Sequence, residues 1–195
     1  MIVTIKPEIE CFEGFFKPDE SEQIYQTLKQ HHVWPDNRYY YAGRQFVLPR
    51  LQTWHADKGI RYSYSNNLLE TKAWTPLLLT IRSRVEAFVK ASFNAVLVNY
   101  YRDGEDHVGW HADDEAELGE RPLIASLSFG VARRFEFKAK NGSDSGDILL
   151  QSGTLLIMQP AFQHNYLHRI PKSAAIINGR INLTFRQVVM TSNTT

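Results

Sequence analysis

The chain has 195 residues, 43% of them apolar and 22% charged, with a formal net charge of +1. That length and balance suit one domain with a buried core, and they exclude an overtly basic nucleic-acid binder. No apolar run is long enough to span a bilayer, and the single Cys11 excludes an internal disulfide or a cysteine-rich metal site. The N-terminus lacks a basic segment followed by an apolar run, so no secretory signal is expected. A reducing intracellular setting is expected, cytoplasmic in a bacterium or nuclear in a eukaryote, with no membrane association and a monomeric chain.

Residues 17–31 read as a helix: Pro18, Asp19 and Glu20 suit a first turn, and Ile24 and Leu28 share a face. The polar, aromatic stretch from Arg38 to Arg50 reads as a hairpin. Residues 74–90 read as a second helix with an apolar stripe of Leu77, Leu78, Ile81, Val85 and Phe88. From residue 95 the pattern changes to short β-rich runs: Ala95–Tyr101, Leu123–Phe129, Arg134–Lys138, Asp147–Leu150, Gly153–Met158 and Arg180–Val188. Asp-Gly, Asn-Gly, Ser-Gly and Gln-Pro turns punctuate them. Many strands after two helices predict a mostly β (α+β) sandwich or jelly-roll with helices on one side.

The segment Arg180-Ile-Asn-Leu-Thr-Phe-Arg186 alternates strictly. As a strand it turns Ile181, Leu183 and Phe185 one way and Arg180, Asn182, Thr184 and Arg186 the other. The polar face either meets water or lines an interior. In the second case two buried guanidiniums need an anion, and a dicarboxylate matches their fork.

His111-Ala-Asp113 places an imidazole and a carboxylate on one side of an extended segment, and His168 can complete a two-histidine, one-carboxylate set suited to iron(II). Two other pairs compete. His107 and His111, and His164 and His168, are each four apart, a zinc spacing on a helix. Gly104, Gly109 and Pro160 argue against helices at both places. His107 then reads as a supporting polar residue and His164 as a hydrogen-bonded structural one. His31, His32 and His55 read as surface or substrate-side residues.

Taken in order, Asn99-Tyr-Tyr101-Arg-Asp-Gly104, His111-Ala-Asp113-Asp-Glu115, Ala125-Ser-Leu-Ser-Phe129-Gly130, His168 and Arg180-Ile-Asn182-Leu-Thr184-Phe-Arg186 resemble the AlkB family of 2-oxoglutarate-dependent dioxygenases, and its DNA-repair branch most of all. The resemblance covers roughly residues 38–190. It implies one catalytic domain over 1–195, with N-terminal helices and a nucleotide-recognition lid over about 1–94. A double-stranded β-helix (jelly-roll) core follows over about 95–190. It implies iron(II) on His111, Asp113 and His168, and 2-oxoglutarate and O2 as cosubstrates. The distal carboxylate of 2-oxoglutarate is implied at Arg180, with Asn99 and Tyr101 bonding the cosubstrate. Asn182 and Thr184 support that network, and Arg186 sits near the reacting end. The implied activity is oxidative demethylation of 1-methyladenine and 3-methylcytosine in DNA, releasing succinate, CO2 and formaldehyde. RNA, a protein side chain or a small metabolite stay open as alternative substrates.

The target base must leave its stack. The resemblance implies that Tyr64 stacks on it with His111 opposite, while Tyr62, Ser65 and Glu115 contact it. Tyr41 and Arg50 belong to the nucleic-acid contact, with Arg38, Arg44 and Arg50 in reach of phosphates. The hairpin carries Ala42 where duplex-repair relatives carry a bulky wedge, for which Tyr40 or Tyr41 could substitute. Ser173-Ala174-Ala175 and the short Lys140–Gly146 segment with Asp144 stand where those relatives are basic. A preference for single-stranded or loosely paired substrate follows.

Overall fold

The structure is a computed structural model that describes residues 2–6, 8–36, 38–41, 43–60, 63–64, 67–68 and 70–189; of these, the side chains of 2–5, 39–41, 63–64 and 67–68 lie outside the description. In chain order it runs β1 (Ile2–Lys6), β2 (Ile9–Phe12), α1 (Pro18–His31), β3 (Arg38–Tyr41), β4 (Arg44–Val47), β5 (Leu51–Ala56), β6 (Ser63–Tyr64), β7 (Asn67–Leu68), β8 (Thr71–Lys72) and α2 (Pro76–Val89). The second half comprises β9 (Ala95–Tyr101), β10 (Val108–His111), a 3-10 turn (Ala116–Leu118), β11 (Ile124–Gly130), β12 (Arg133–Ala139), β13 (Ser145–Leu150), β14 (Thr154–Met158), α3 (Pro160–Asn165), β15 (Tyr166–Ile170) and β16 (Arg180–Arg186).

Two sheets carry the site. The larger has the order β1-β2-β14-β11-β16-β9-β5-β8, the smaller β10-β15-β12-β13. Their facing sides bury Leu97, Tyr101, Phe135, Phe137, Leu156 and Met158 in one core. A second core lies on the outer face of the large sheet, where Val96, Val98, Leu127, Ile181, Leu183 and Phe185 pack with Ile24, Leu28, Leu78, Ile81 and Val85 of the two long helices. This is the jelly-roll with helices on one side that the run of short strands predicts.

All seven residues of β16 are buried. The apolar face meets the helices, and the polar face meets the small sheet instead of water. The interior reading of that strand holds for a simple reason: a central strand covered on both sides has no wet face.

Both predicted helices form. Pro18 opens α1, and Ile24, Tyr25 and Leu28 are its buried face. Thr75 caps α2 by accepting the Leu78 N–H, and the helix ends where Lys90 turns left-handed at φ 59°. Phe88 leaves the predicted stripe: it is half exposed and packs edge-on against Phe12 and Phe15. The N-terminal half is more than helices and a lid. It contributes β1, β2, β5 and β8 to the large sheet, with β2 paired to β14 and β5 to β9. Among the described residues no helix is long and apolar enough to cross a membrane.

Candidate metal and cosubstrate site

His111, Asp113 and His168 converge: their ligand atoms all lie within 4.8 Å of one another. Strand pairing brings the histidines together. His111 lies opposite His168, while Val108 lies opposite Ile170, so β10 spends one more residue than β15 over the same span. That bulge re-aims the end of the strand, as bulges beside active sites commonly do. It also leaves the Gly109 carbonyl 2.8 Å from His111 Nδ1. An Nδ1–H donating there leaves Nε2 with its lone pair free for a metal.

Asp113 follows the strand and is 1% exposed. Arg186 Nη2 donates to its Oδ1 at 2.8 Å, and its own N–H donates to Gln163 Oε1 at 2.9 Å. Burial by itself would raise this carboxyl, but the charges of Arg186, His168 and His111 outweigh it and hold it at about 2. His168 is buried against the Phe135 ring; burial and the neighbouring His111 lower it to about 3. Burial also lowers His111. The cluster is thus one carboxylate and two neutral imidazoles at neutral pH, the protonation state a divalent cation requires.

The polar face of β16 forms the floor beside it. Arg180 is 1% exposed and donates through Nη2 to Ser128 Oγ at 2.8 Å. Burial brings its pKa down to about 10, so it stays charged. Its Nε and Nη1 meet no acceptor among the described residues. Asn182 is fixed by Ser126 Oγ and the Leu127 carbonyl, both at 2.8 Å, and Thr184 donates to Asn182 Oδ1 at 2.9 Å. A cavity joins these groups to the histidine cluster, with Asn99, Tyr101, Leu97, Val108 and Met158 on its walls. Orphaned guanidinium nitrogens at one end and a metal-type donor set at the other fit an anionic chelator bound between them.

Several expectations change. Arg50 does not face phosphates: it is 4% exposed inside the cavity, with Nε donating to Asn99 Oδ1 at 2.9 Å. His55 is buried on the helix side of the sheet, its Nδ1 2.6 Å from the Ala73 carbonyl, so it is neither a surface nor a substrate residue. His32 is half buried beside it, 2.6 Å from Thr53 Oγ1. Residues 160–165 do form a short helix despite Pro160, which opens it, and His164 is exposed on it. His168 lies in β15, so the zinc-like pair is still not on one helix. Glu115 stands half buried at the start of the 3-10 turn. Tyr62 and Ser65 lie outside the described residues, as do the side chains of Tyr64 and Tyr41.

Three supporting residues escaped the sequence reading: Ser126, Ser128 and Gln163. The serines had a signal, since Ala125-Ser-Leu-Ser-Phe129 alternates with the same period as β16 beside it. Gln163 had none.

Comparison with known proteins agrees with this geometry. The profile described as the 2OG-Fe(II) oxygenase superfamily matches residues 8–186. The alpha-ketoglutarate-dependent dioxygenase alkB homolog 3 of Rattus norvegicus is 39% identical over 91% of this chain and 63% of its own length. The DNA oxidative demethylase ALKBH2 of Homo sapiens is 34% identical over 90% of this chain and 72% of its own. The chain therefore spans just under two thirds of the alkB homolog 3 protein. A solved structure, "The structure of OsALKBH1", superposes with a TM-score of 0.69 at 17% identity, covering 96% of this chain and 100% of that one, a likeness of fold.

Proposed function

The chain belongs to the AlkB family of 2-oxoglutarate- and iron(II)-dependent oxygenases, and from that premise we propose that it oxidatively removes N-linked methyl groups, those of 1-methyladenine and 3-methylcytosine among them, from single-stranded or loosely paired DNA. The observation that carries this reading is the shared cavity of a buried His-Asp-His cluster and the incompletely bonded guanidinium of Arg180.

Bound iron(II) and 2-oxoglutarate supply the oxidising chemistry, with succinate, CO2 and formaldehyde as products. The chain's residues prepare the site for them. His111, Asp113 and His168 hold the metal; Arg186 keeps the Asp113 carboxylate ionised, and Gln163 fixes its backbone by accepting the Asp113 N–H. Arg180, steadied by Ser128, receives the distal carboxylate of 2-oxoglutarate. Asn99 and Tyr101 complete its polar contacts, and Arg50 fixes the Asn99 amide. Phe135, Leu97 and Met158 keep bulk water out, which strengthens every ion pair within.

His111 is the most exposed of the three metal residues, at the rim of the cavity. A flipped base stacks between it and Tyr64, with Tyr62, Ser65 and Glu115 at its edge and Tyr41 on the hairpin; a cationic methylated base gains cation–π attraction there. Arg38 and Arg44 are exposed on the β3–β4 hairpin, suited to phosphate contacts that position the strand. Arg38 already pairs with Asp36. Asp144 in the β12–β13 turn pairs with Lys6. Together with Ala42 and Ser173-Ala174-Ala175, these features leave little to grip a second strand. The name of the human relative, a DNA oxidative demethylase, supports DNA as the substrate.

The test is formaldehyde release from matched single- and double-stranded oligonucleotides carrying 1-methyladenine or 3-methylcytosine, in DNA and RNA. Release from methylated single-stranded DNA is expected to be fastest. Faster repair of the duplex removes the strand preference. Consumption of 2-oxoglutarate with no formaldehyde from any oligonucleotide transfers the activity to another substrate.

A further inference from the structure

Beside the Arg180 end of the cavity, across the Tyr101 ring and outside the cavity lining, lies a further buried cation. Arg133, at the start of β12, is 1% exposed, as buried as Arg180. The two guanidiniums share one ring: Arg180 Cζ lies 5.3 Å and Arg133 Cζ 5.5 Å from the Tyr101 centroid. Arg133 has no carboxylate bonded to it among the described residues. Its Nη1 donates to the Asp103 carbonyl at 2.9 Å, and its Nη2 to the Asp106 and Pro171 carbonyls at 2.8 and 2.7 Å. Asp106, the nearest buried acid, spends both oxygens on Arg102, at 2.7 and 2.8 Å. Carbonyls solvate the Arg133 cation, and the nearby charges of Asp106 and Asp103 offset it only in part, without bonding to it.

Two buried like charges beside one aromatic ring are costly in the protein alone. The cost appears at Arg180, whose pKa falls through burial first and through repulsion from Arg133 as well. Such an arrangement is tolerable where an anion joins it. The loops do not need this cation as their only fastener. Gly104 N–H donates to the Ile176 carbonyl at 2.8 Å, and Ser173 N–H donates to the Gly104 carbonyl at 2.9 Å, closing 102–107 onto 171–179 independently.

We propose that Arg133 is a positioning residue for the cosubstrate, its charge adding to that of Arg180 at the distal carboxylate so that the pocket selects a dianion. This rests on the reading of the cavity as a 2-oxoglutarate site. Arg133 acts through the field it sets up across Tyr101 and does not touch the ligand. A unit charge about 10 Å away across an effective dielectric of about 20 changes the affinity of an anion by about tenfold.

The experiment is calorimetric titration of 2-oxoglutarate into anaerobic iron(II)-loaded protein, wild type against Arg133→Gln and Arg133→Lys, with melting temperatures recorded for each. The neutral variant is expected to bind about tenfold more weakly. The lysine variant keeps the charge but not the fork that spans three carbonyls, and it should stay within about threefold of wild type. A purely structural role predicts the opposite, because an ammonium cannot replace that fork and both variants then lose affinity together. Equal loss in both, or no loss in either, overturns the proposal. If Arg133→Gln does not fold, Arg133→Lys decides alone: retained affinity supports the charge role, and a tenfold loss refutes it. If wild type itself fails to bind 2-oxoglutarate, the cavity assignment falls, and this inference falls with it.

Discussion

Replacing Arg180 by methionine should make the ligand-free protein more stable and the enzyme worse. The guanidinium is 1% exposed, donates to Ser128, has the Tyr101 side chain as a second polar neighbour, and leaves Nε and Nη1 without acceptors among the described residues. At a pKa of about 10 it is still a cation at neutral pH. Exchanging a buried, imperfectly paired charge for an apolar side chain of similar reach is neutral to stabilising, by about 1–4 kcal/mol. Taking about 2 kcal/mol and roughly 2–4 °C per kcal/mol for a chain of this size, the metal-free melting temperature should rise by roughly 4–8 °C. The cosubstrate reports the other side. Losing one partner of a buried charge pair costs about 2–5 kcal/mol, so the KM for 2-oxoglutarate should increase about 30-fold or more. Differential scanning calorimetry of the metal-free protein and steady-state turnover against 2-oxoglutarate give the two numbers. A lower melting temperature with an unchanged KM would mean that Arg180 is a structural cation and that the anion binds elsewhere.

Asp113→Ala should do the reverse at the neighbouring pair: besides abolishing turnover, it strips Arg186 Nη2 of its carboxylate and should lower the melting temperature by at least about 6 °C; a stable, active variant refutes the assignment. Gln163→Leu removes the acceptor of the Asp113 N–H and should weaken iron(II) binding about 10- to 100-fold in an anaerobic titration, while equal affinity would make Gln163 irrelevant to the metal. Burial, then His55 and Lys72, lowers His32 from 6.5 to about 4, so the unfolded chain takes up this proton first and stability falls as pH drops below 6.5. Halving the linkage for partial exposure leaves roughly 2 °C of melting temperature between pH 7.5 and 5.5. His32→Gln should flatten the slope by that amount, and an identical slope would remove His32 as its source.

What the sequence made legible was whatever rests on period and order. Strand Ala95–Tyr101 was predicted to the residue, and the other long strands of the core fell within a few residues of their observed ends, because each is a β-rich run bounded by turn residues over a length that packing rewards. Strands such as β2, β8, β10 and β15 were missed. They are only two to five residues long, and their existence depends on a partner supplied from far along the chain. Glu8 to Phe12 alone says nothing of β14, some 145 residues later, against which it lies. Arg50 was misplaced for a related cause. The preceding hairpin strand Arg44–Val47 is exposed throughout, so the local pattern extends outward, yet Arg50 stands immediately before β5 and its side chain turns inward to Asn99 on the paired β9.

The site divides along the same line. Arg180 was readable because a strand that alternates arginine, asparagine, threonine and arginine against isoleucine, leucine and phenylalanine must put its polar face somewhere, and a buried polar face demands partners. The metal cluster was readable only as a set of residue types in a family's order, since its geometry rests on features that leave no local trace. One extra residue in β10 slips the register by one, and that slip sets His111 opposite His168 rather than beside it. Gln163 then reaches Asp113 from a helix of six residues that begins at a proline. A shift of one residue in either place would keep every ligand and every motif in the sequence while moving the carboxylate or an imidazole off the common point. Deleting Trp110, which removes the extra residue without touching a ligand, should therefore reduce iron(II) affinity as severely as Asp113→Ala while leaving the Arg180 end of the cavity intact; wild-type affinity in that variant would mean that the bulge does not position the metal.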